Sequence, residues 1–138
     1  MNILYSTTAT ATGDGRNGHT ATEDGMVDVD VRTPPELGGA GGATNPEQLL
    51  AAGYAACFHS AMKLVAKPMD IDATDSAVSV TVGLGMLDDG AFNLALEIVV
   101  DVPNASAEQS LALVERAHEV CPYSNATRGN VEVVLGVL

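Results

Sequence analysis

From Asn45 to Ala66 the chain carries the run Asn-Pro-Glu-Gln-Leu-Leu-Ala-Ala-Gly-Tyr-Ala-Ala-Cys-Phe-His-Ser-Ala-Met-Lys-Leu-Val-Ala, which reads as one long helix apolar on nearly every side. Its start is marked three ways: Asn45 can cap the first turn, Pro46 suits the first helical position, and Gln48 is placed to complete a capping box. Ala51, Ala52, Gly53, Ala55 and Ala56 let neighbouring backbones come close. A helix without a polar face has to be enclosed, so the other segments must wrap around it. A membrane span is the competing explanation and needs about 20 apolar residues. His59, Ser60 and Lys63 interrupt the run, which argues for the protein core.

The wrapping segments read as strands and two lesser helices. Residues 3–12 alternate loosely in Thr and Ala and suit an edge strand, and the chain turns at Gly13 to Gly18. His19 to Glu23 and Met26 to Val31 follow as strands, the second with Val27, Val29 and Val31 on one face. Thr33 to Thr44 holds two prolines and four glycines and is a loop. After Pro68, the alternation Val78, Val80, Val82, Leu84, Met86, the turn Asp88-Asp89-Gly90, and the alternation Phe92, Leu94, Leu96, Ile98, Val100 predict a long hairpin. Ser106 with Gln109 starts a second helix carrying Leu111, Val114, Ala117 and His118 toward Val120. Pro122 interrupts, a short helical turn continues to Gly129, and Val131 to Val137 forms a last strand. The fold class is α+β, with antiparallel β-sheets around a long buried central helix.

The chain has 138 residues, of which 46% are apolar and 17% charged, enough for one domain over 1–138 with a real core. It bears 18 acidic against 6 basic side chains, a formal charge of −12. Lys63 and Lys67 are its only lysines, so no basic stripe exists to replace the counterions of a phosphate backbone. Nucleic acid and anionic membrane surfaces are poor partners for it. The beginning Met1-Asn2-Ile3-Leu4-Tyr5-Ser6 has no basic segment and no sustained apolar segment, so a cytoplasmic address is expected. Two cysteines 64 positions apart do not make a disulfide framework, and each needs its own explanation.

Cys57, in the middle of the apolar helix, would by itself be a small inert hydrophobe. Burial without a cation raises a thiol pKa and suppresses the thiolate. A reactive Cys57 therefore requires a positive charge, and Arg16, bracketed by glycines in a turn, is the leading candidate among the six bases. Cys121 ends one helix and precedes Pro122, where free N–H groups of the next turn favour a thiolate. Cys57, His59, His118 and Cys121 could together supply zinc ligands. However, residues 57 and 59 lie about 200° apart around a helix, so no metal is expected. A Cys57–His118 hydrolase pair is a third option. A dithiol cycling between thiol and disulfide fits two such cysteines better, provided their α-carbons come within about 6 Å.

Three segments then carry a resemblance: Tyr5-Ser-Thr-Thr-Ala-Thr-Ala-Thr-Gly, Thr44-Asn-Pro-Glu-Gln-Leu-Leu-Ala-Ala-Gly-Tyr-Ala-Ala-Cys57-Phe, and Ala117-His-Glu-Val-Cys-Pro-Tyr-Ser-Asn-Ala-Thr-Arg-Gly129. The chain resembles the organic hydroperoxide resistance proteins of the Ohr/OsmC superfamily, and the Ohr branch more than the OsmC branch. The resemblance implies an intertwined homodimer that works as a thiol-dependent peroxidase, reducing organic and fatty-acid hydroperoxides to alcohols without a cofactor. By position, Cys57 matches the family's peroxidatic cysteine and Cys121 its resolving cysteine. Arg16 matches the arginine that holds the thiolate, and Glu47 the carboxylate that aims the arginine. Re-reduction in the family is by lipoyl dithiols, so dihydrolipoamide or a lipoylated protein is the implied reductant. Leu50, Tyr54, Phe58 and Met62 form the implied apolar pocket for alkyl tails; Leu50 stands where phenylalanine is common.

Spacing adds one expectation. Glu47 and Cys57 are ten residues apart on one helix, hence about 15 Å apart along its axis. If Glu47 and Arg16 serve Cys57, they come from the partner protomer.

Overall fold

A computed structural model describes residues 1–138. The chain divides into two units, Met1–Leu49 and Leu50–Leu138. In the first, β1 (Ala9–Asp14), β2 (Asn17–Thr22) and β3 (Asp28–Asp30) form an antiparallel sheet in that order. The β1–β2 hairpin closes tightly around Gly15 and Arg16. Gly15 takes a φ of 53°, and at Gly18 a side chain would meet the Thr12 carbonyl oxygen at 2.1 Å. Both positions need glycine for that reason. The first strand lies later than residues 3–12, and residues 1–8 form no regular element. Every residue of β1 is exposed, so no apolar face fixes its register from sequence.

A single turn of 3₁₀ helix at Pro35–Leu37 punctuates the glycine-rich loop, and α1 (Pro46–Ala66) then runs without a break through Gly53. Asn45 caps it: the Gln48 amide donates to Asn45 Oδ1 at 2.9 Å. The Gln48 side chain does not close the box but accepts from the Thr44 hydroxyl at 3.0 Å.

In the second unit, β4 (Ala77–Met86) and β5 (Phe92–Asp101) form the long hairpin, and β6 (Glu132–Val137) joins the other edge of β5. This last pairing is parallel and departs from the purely antiparallel expectation. A parallel neighbour needs a crossover connection, which α2 (Ala107–Val120) and α3 (Pro122–Thr127) supply. The capping box at α2 is complete, with Ser106 and Gln109 bonding reciprocally.

The core of this unit packs Tyr54, Phe58, Met62 and Val65 of α1 against Leu96, Ile98 and Val100 of β5 and Leu113, Val114 and Ala117 of α2. Full burial of side chains this size stabilises by about 1.5–3 kcal/mol each. α1 is long and apolar enough to cross a membrane by length and composition, yet it contributes six residues to this core. Its burial is one-sided: Ala52, Ala56, Ser60 and Leu64 stay exposed, so a single copy of the chain does not enclose the helix.

Candidate active site

The four residues singled out for chemistry fall into two pairs, one in each unit. In the first, the β1–β2 turn carries Arg16 to Glu47 in the opening turn of α1. The guanidinium donates twice to the carboxylate, Nη1 to Oε2 at 2.8 Å and Nη2 to Oε1 at 2.6 Å. Such a fork fixes the aim of the arginine as well as its charge. The hydrogen bond from Arg16 holds the Glu47 carboxyl below its ordinary pKa, and Glu47 in turn raises that of Arg16. Both remain ionised near neutrality, and the pair is only partly covered.

In the second unit, Cys57 and Cys121 face each other with sulfurs 3.6 Å apart, the Cys121 thiol donating toward Cys57. Both are free thiols, Cys57 half-buried and Cys121 fully buried. Cys121 sits where α2 ends and α3 begins, with Pro122 at the first position of α3. Burial pushes the Cys57 thiol up, the Tyr123 backbone N–H pulls it down, and the neighbouring Cys121 raises it again. None of these influences is a cation. The pair can therefore close a disulfide with a small movement, to about 2.0 Å between sulfurs, but Cys57 lacks here the positive charge a reactive thiolate needs.

Tyr54, Phe58 and Met62 lie wholly within the core, while Leu50 and Cys57 are half-buried. The two histidines near the cysteines are engaged separately: His59 Nε2 meets Ser76 Oγ at 3.1 Å and His118 Nδ1 meets Ser124 Oγ at 2.9 Å. No three His, Cys, Asp or Glu side chains converge as a metal would require.

Three features escape sequence reasoning. The Tyr123 amide reaches Cys57 because Pro122 starts a helix immediately after Cys121, and that proline is the signal that could have pointed to it. The Tyr123 ring packs on Tyr54, ring centres 5.4 Å apart, with its hydroxyl over Gly53, where an added Cβ would lie 3.2 Å away. His19, which carries no sequence signal, bridges Asp30 at 2.9 Å and Asp28 at 2.7 Å across the first sheet.

A family model described as OsmC-like protein matches residues 39–136. The organic hydroperoxide resistance protein of Xanthomonas axonopodis pv. citri is 48% identical over 135 residues, 96% of this chain and 94% of its own. Among solved structures, an organic hydroperoxide resistance protein from Legionella pneumophila superposes with a TM-score of 0.93 at 49% identity, covering 99% of this chain and 98% of that one. The organic hydroperoxide resistance protein OhrB of Bacillus subtilis gives 0.89 at 43%, covering 99% and 100%. The chain thus belongs to the OsmC-like family, within its organic hydroperoxide resistance branch.

Proposed function

We propose that this protein is a cytoplasmic thiol peroxidase that detoxifies organic and fatty-acid hydroperoxides. The observation that carries the reading is the 3.6 Å separation of the Cys57 and Cys121 sulfurs, two free thiols poised for one disulfide. Its relatives' names, organic hydroperoxide resistance proteins, supply the substrate class.

The Cys57 thiolate attacks the outer peroxide oxygen, the O–O bond breaks, and the alkoxide leaves as alcohol after taking a proton. Cys57 is then a sulfenic acid. The Cys121 sulfur attacks it, and the thiol proton departs with the hydroxyl as water. A dithiol such as dihydrolipoamide, free or on a lipoylated protein, exchanges with the disulfide and restores both thiols while becoming oxidised itself.

In this proposal the cation that Cys57 needs is the Arg16 of a second copy, aimed by that copy's Glu47. Supporting it, α1 is unbroken between Glu47 and Cys57, so about 15 Å of helix separates the two within a chain. The exposure of the consecutive Ile3, Leu4 and Tyr5 supports a homodimer, because apolar side chains grouped at a surface mark contact sites. Half-buried Leu50 offers apolar carbon to an alkyl tail and nothing to hydrogen peroxide, whereas Tyr54, Phe58 and Met62, wholly within the core, present no surface that a tail could reach.

The test is peroxide consumption with cumene hydroperoxide or hydrogen peroxide, and with dihydrolipoamide or glutathione, by the wild type and Cys57→Ser. The reading predicts fast turnover of cumene hydroperoxide with dihydrolipoamide, and none in Cys57→Ser. Equal activity in the variant would end it.

A further inference from the structure

Ser124 is fully buried, and its hydroxyl joins side chains from two other helices. Tyr54 Oη of α1 lies 2.9 Å away and His118 Nδ1 of α2 also 2.9 Å. Tyr54 Oη has a second neighbour in Thr127 Oγ1, at 3.3 Å. One oxygen on α3 thus ties together all three helices that carry or flank the cysteines. Their order along the chain is regular: Cys121 is three residues from both His118 and Ser124, and Cys57 is three residues after Tyr54. Each thiol stands about one helical turn from a clamped side chain.

The polarity of the clamp is set by His118. Burial and the nearby Arg128 disfavour its charged form. With its proton on Nε2, the neutral ring accepts at Nδ1 from the Ser124 hydroxyl. Ser124 can then accept from Tyr54. Arg128 further braces the segment, with Nη1 on Asn125 Oδ1 at 2.8 Å and Nη2 on the His118 carbonyl oxygen at 2.5 Å.

We infer that Ser124 is a positioning residue for the disulfide-forming step: its bonds to Tyr54 and His118 hold the α2–α3 junction so that Cys121 stays within reach of Cys57. This deepens the peroxidase reading and rests on it for the natural oxidant, although the geometric claim concerns any attack of Cys121 on a modified Cys57. The sulfurs need close only from 3.6 Å to about 2.0 Å, and displacements near 1 Å can cost about a hundredfold in rate.

The experiment uses an aromatic disulfide that releases a coloured thiolate. Attack by Cys57 breaks the probe's S–S bond, forms a mixed disulfide and releases one thiolate. Attack by Cys121 on the Cys57 sulfur then forms the protein disulfide and releases the second. The two phases are compared in the wild type, Ser124→Ala, His118→Leu and His118→Asn, the last keeping a polar atom where Nδ1 sits. Ser124→Ala and His118→Leu should slow the second phase about tenfold or more and change the first by less than about threefold, while His118→Asn restores much of the second.

A second phase at the wild-type rate in Ser124→Ala, or equal slowing of both phases, overturns the inference. With cumene hydroperoxide in place of the probe, Ser124→Ala should accumulate Cys57 sulfenic acid, trapped by a cyclic dione and weighed by mass spectrometry. A wild type inert to the hydroperoxide would sink the peroxidase reading alone, since the coloured probe still decides the clamp.

Discussion

Replacing Tyr54 by Phe and Ser124 by Ala should destabilise the protein unequally, because only the second change strands buried partners. In Tyr54→Phe, Ser124 keeps His118, and Thr127 keeps the carbonyl oxygens of Tyr123 at 3.0 Å and Ser124 at 3.2 Å. No buried group is orphaned, so the loss is the 2.9 Å bond to Ser124 and the longer contact to Thr127, together about 1 kcal/mol. In Ser124→Ala, the Tyr54 hydroxyl is left with only the 3.3 Å contact to Thr127, and His118 Nδ1 loses its only protein partner. Stranding buried groups costs about 1–3 kcal/mol, and partial access of His118 to water places this case near 2 kcal/mol. At this chain length 1 kcal/mol shifts Tm by about 3–4 °C, so the variants should melt about 3 °C and about 7 °C below the wild type. Thermal melts at one fixed protein concentration measure this, since dimerisation would couple Tm to concentration. In the double variant, Tyr54→Phe should cost almost nothing more, a coupling of about 1 kcal/mol. Strict additivity, or a Tyr54→Phe at least as damaging as Ser124→Ala, would refute the clamp's energetics.

For the arginine, Arg16→Ala should raise the pKa of Cys57, the usual effect of removing a cation beside an anion, and slow hydroperoxide attack at neutral pH. Thiolate absorbance followed against pH checks this, and an unchanged profile refutes the role. Glu47→Gln should slow turnover less, because it leaves the charge and loosens its aim. His19 and His118 should titrate in opposite directions from the ordinary 6.5. His19, which must carry both protons to donate to Asp30 and Asp28, should titrate above it, and its stabilising bonds are lost as pH rises through that raised value. His118, kept neutral by burial, should titrate below it, and stability should fall as pH drops below about 6.5. Imidazole resonances in NMR decide both, and the reverse order would contradict the geometry.

Much of this architecture was legible in the chain because it rests on local chemistry. The Asn45–Pro46 start, the Ser106–Gln109 box and the alternation from Val78 to Val100 each state their element outright. The alternation over residues 3–12 starts β1 too early because Thr and Ala offer no apolar face to anchor it. β6 turned out parallel because pairing direction depends on where α2 and α3 return the chain, which no periodicity encodes. At the site, Cys57, Cys121 and Arg16 stand out through the scarcity of cysteines and cations, whereas Glu47 is legible only through the resemblance to the Ohr proteins. The Tyr54–Ser124–His118 clamp does not stand out, since Ser124 lies 70 positions from Tyr54 and a buried serine looks like any other in sequence.

Everything proposed for this protein rests on Cys57 and Cys121 of one chain forming a working dithiol. Its most direct test is to add one equivalent of cumene hydroperoxide per reduced chain, count the thiols and map the linkage by mass spectrometry. Loss of both thiols and a Cys57–Cys121 disulfide within a single chain are expected. Thiols left intact, or a disulfide that joins two chains through these cysteines, would contradict a working dithiol.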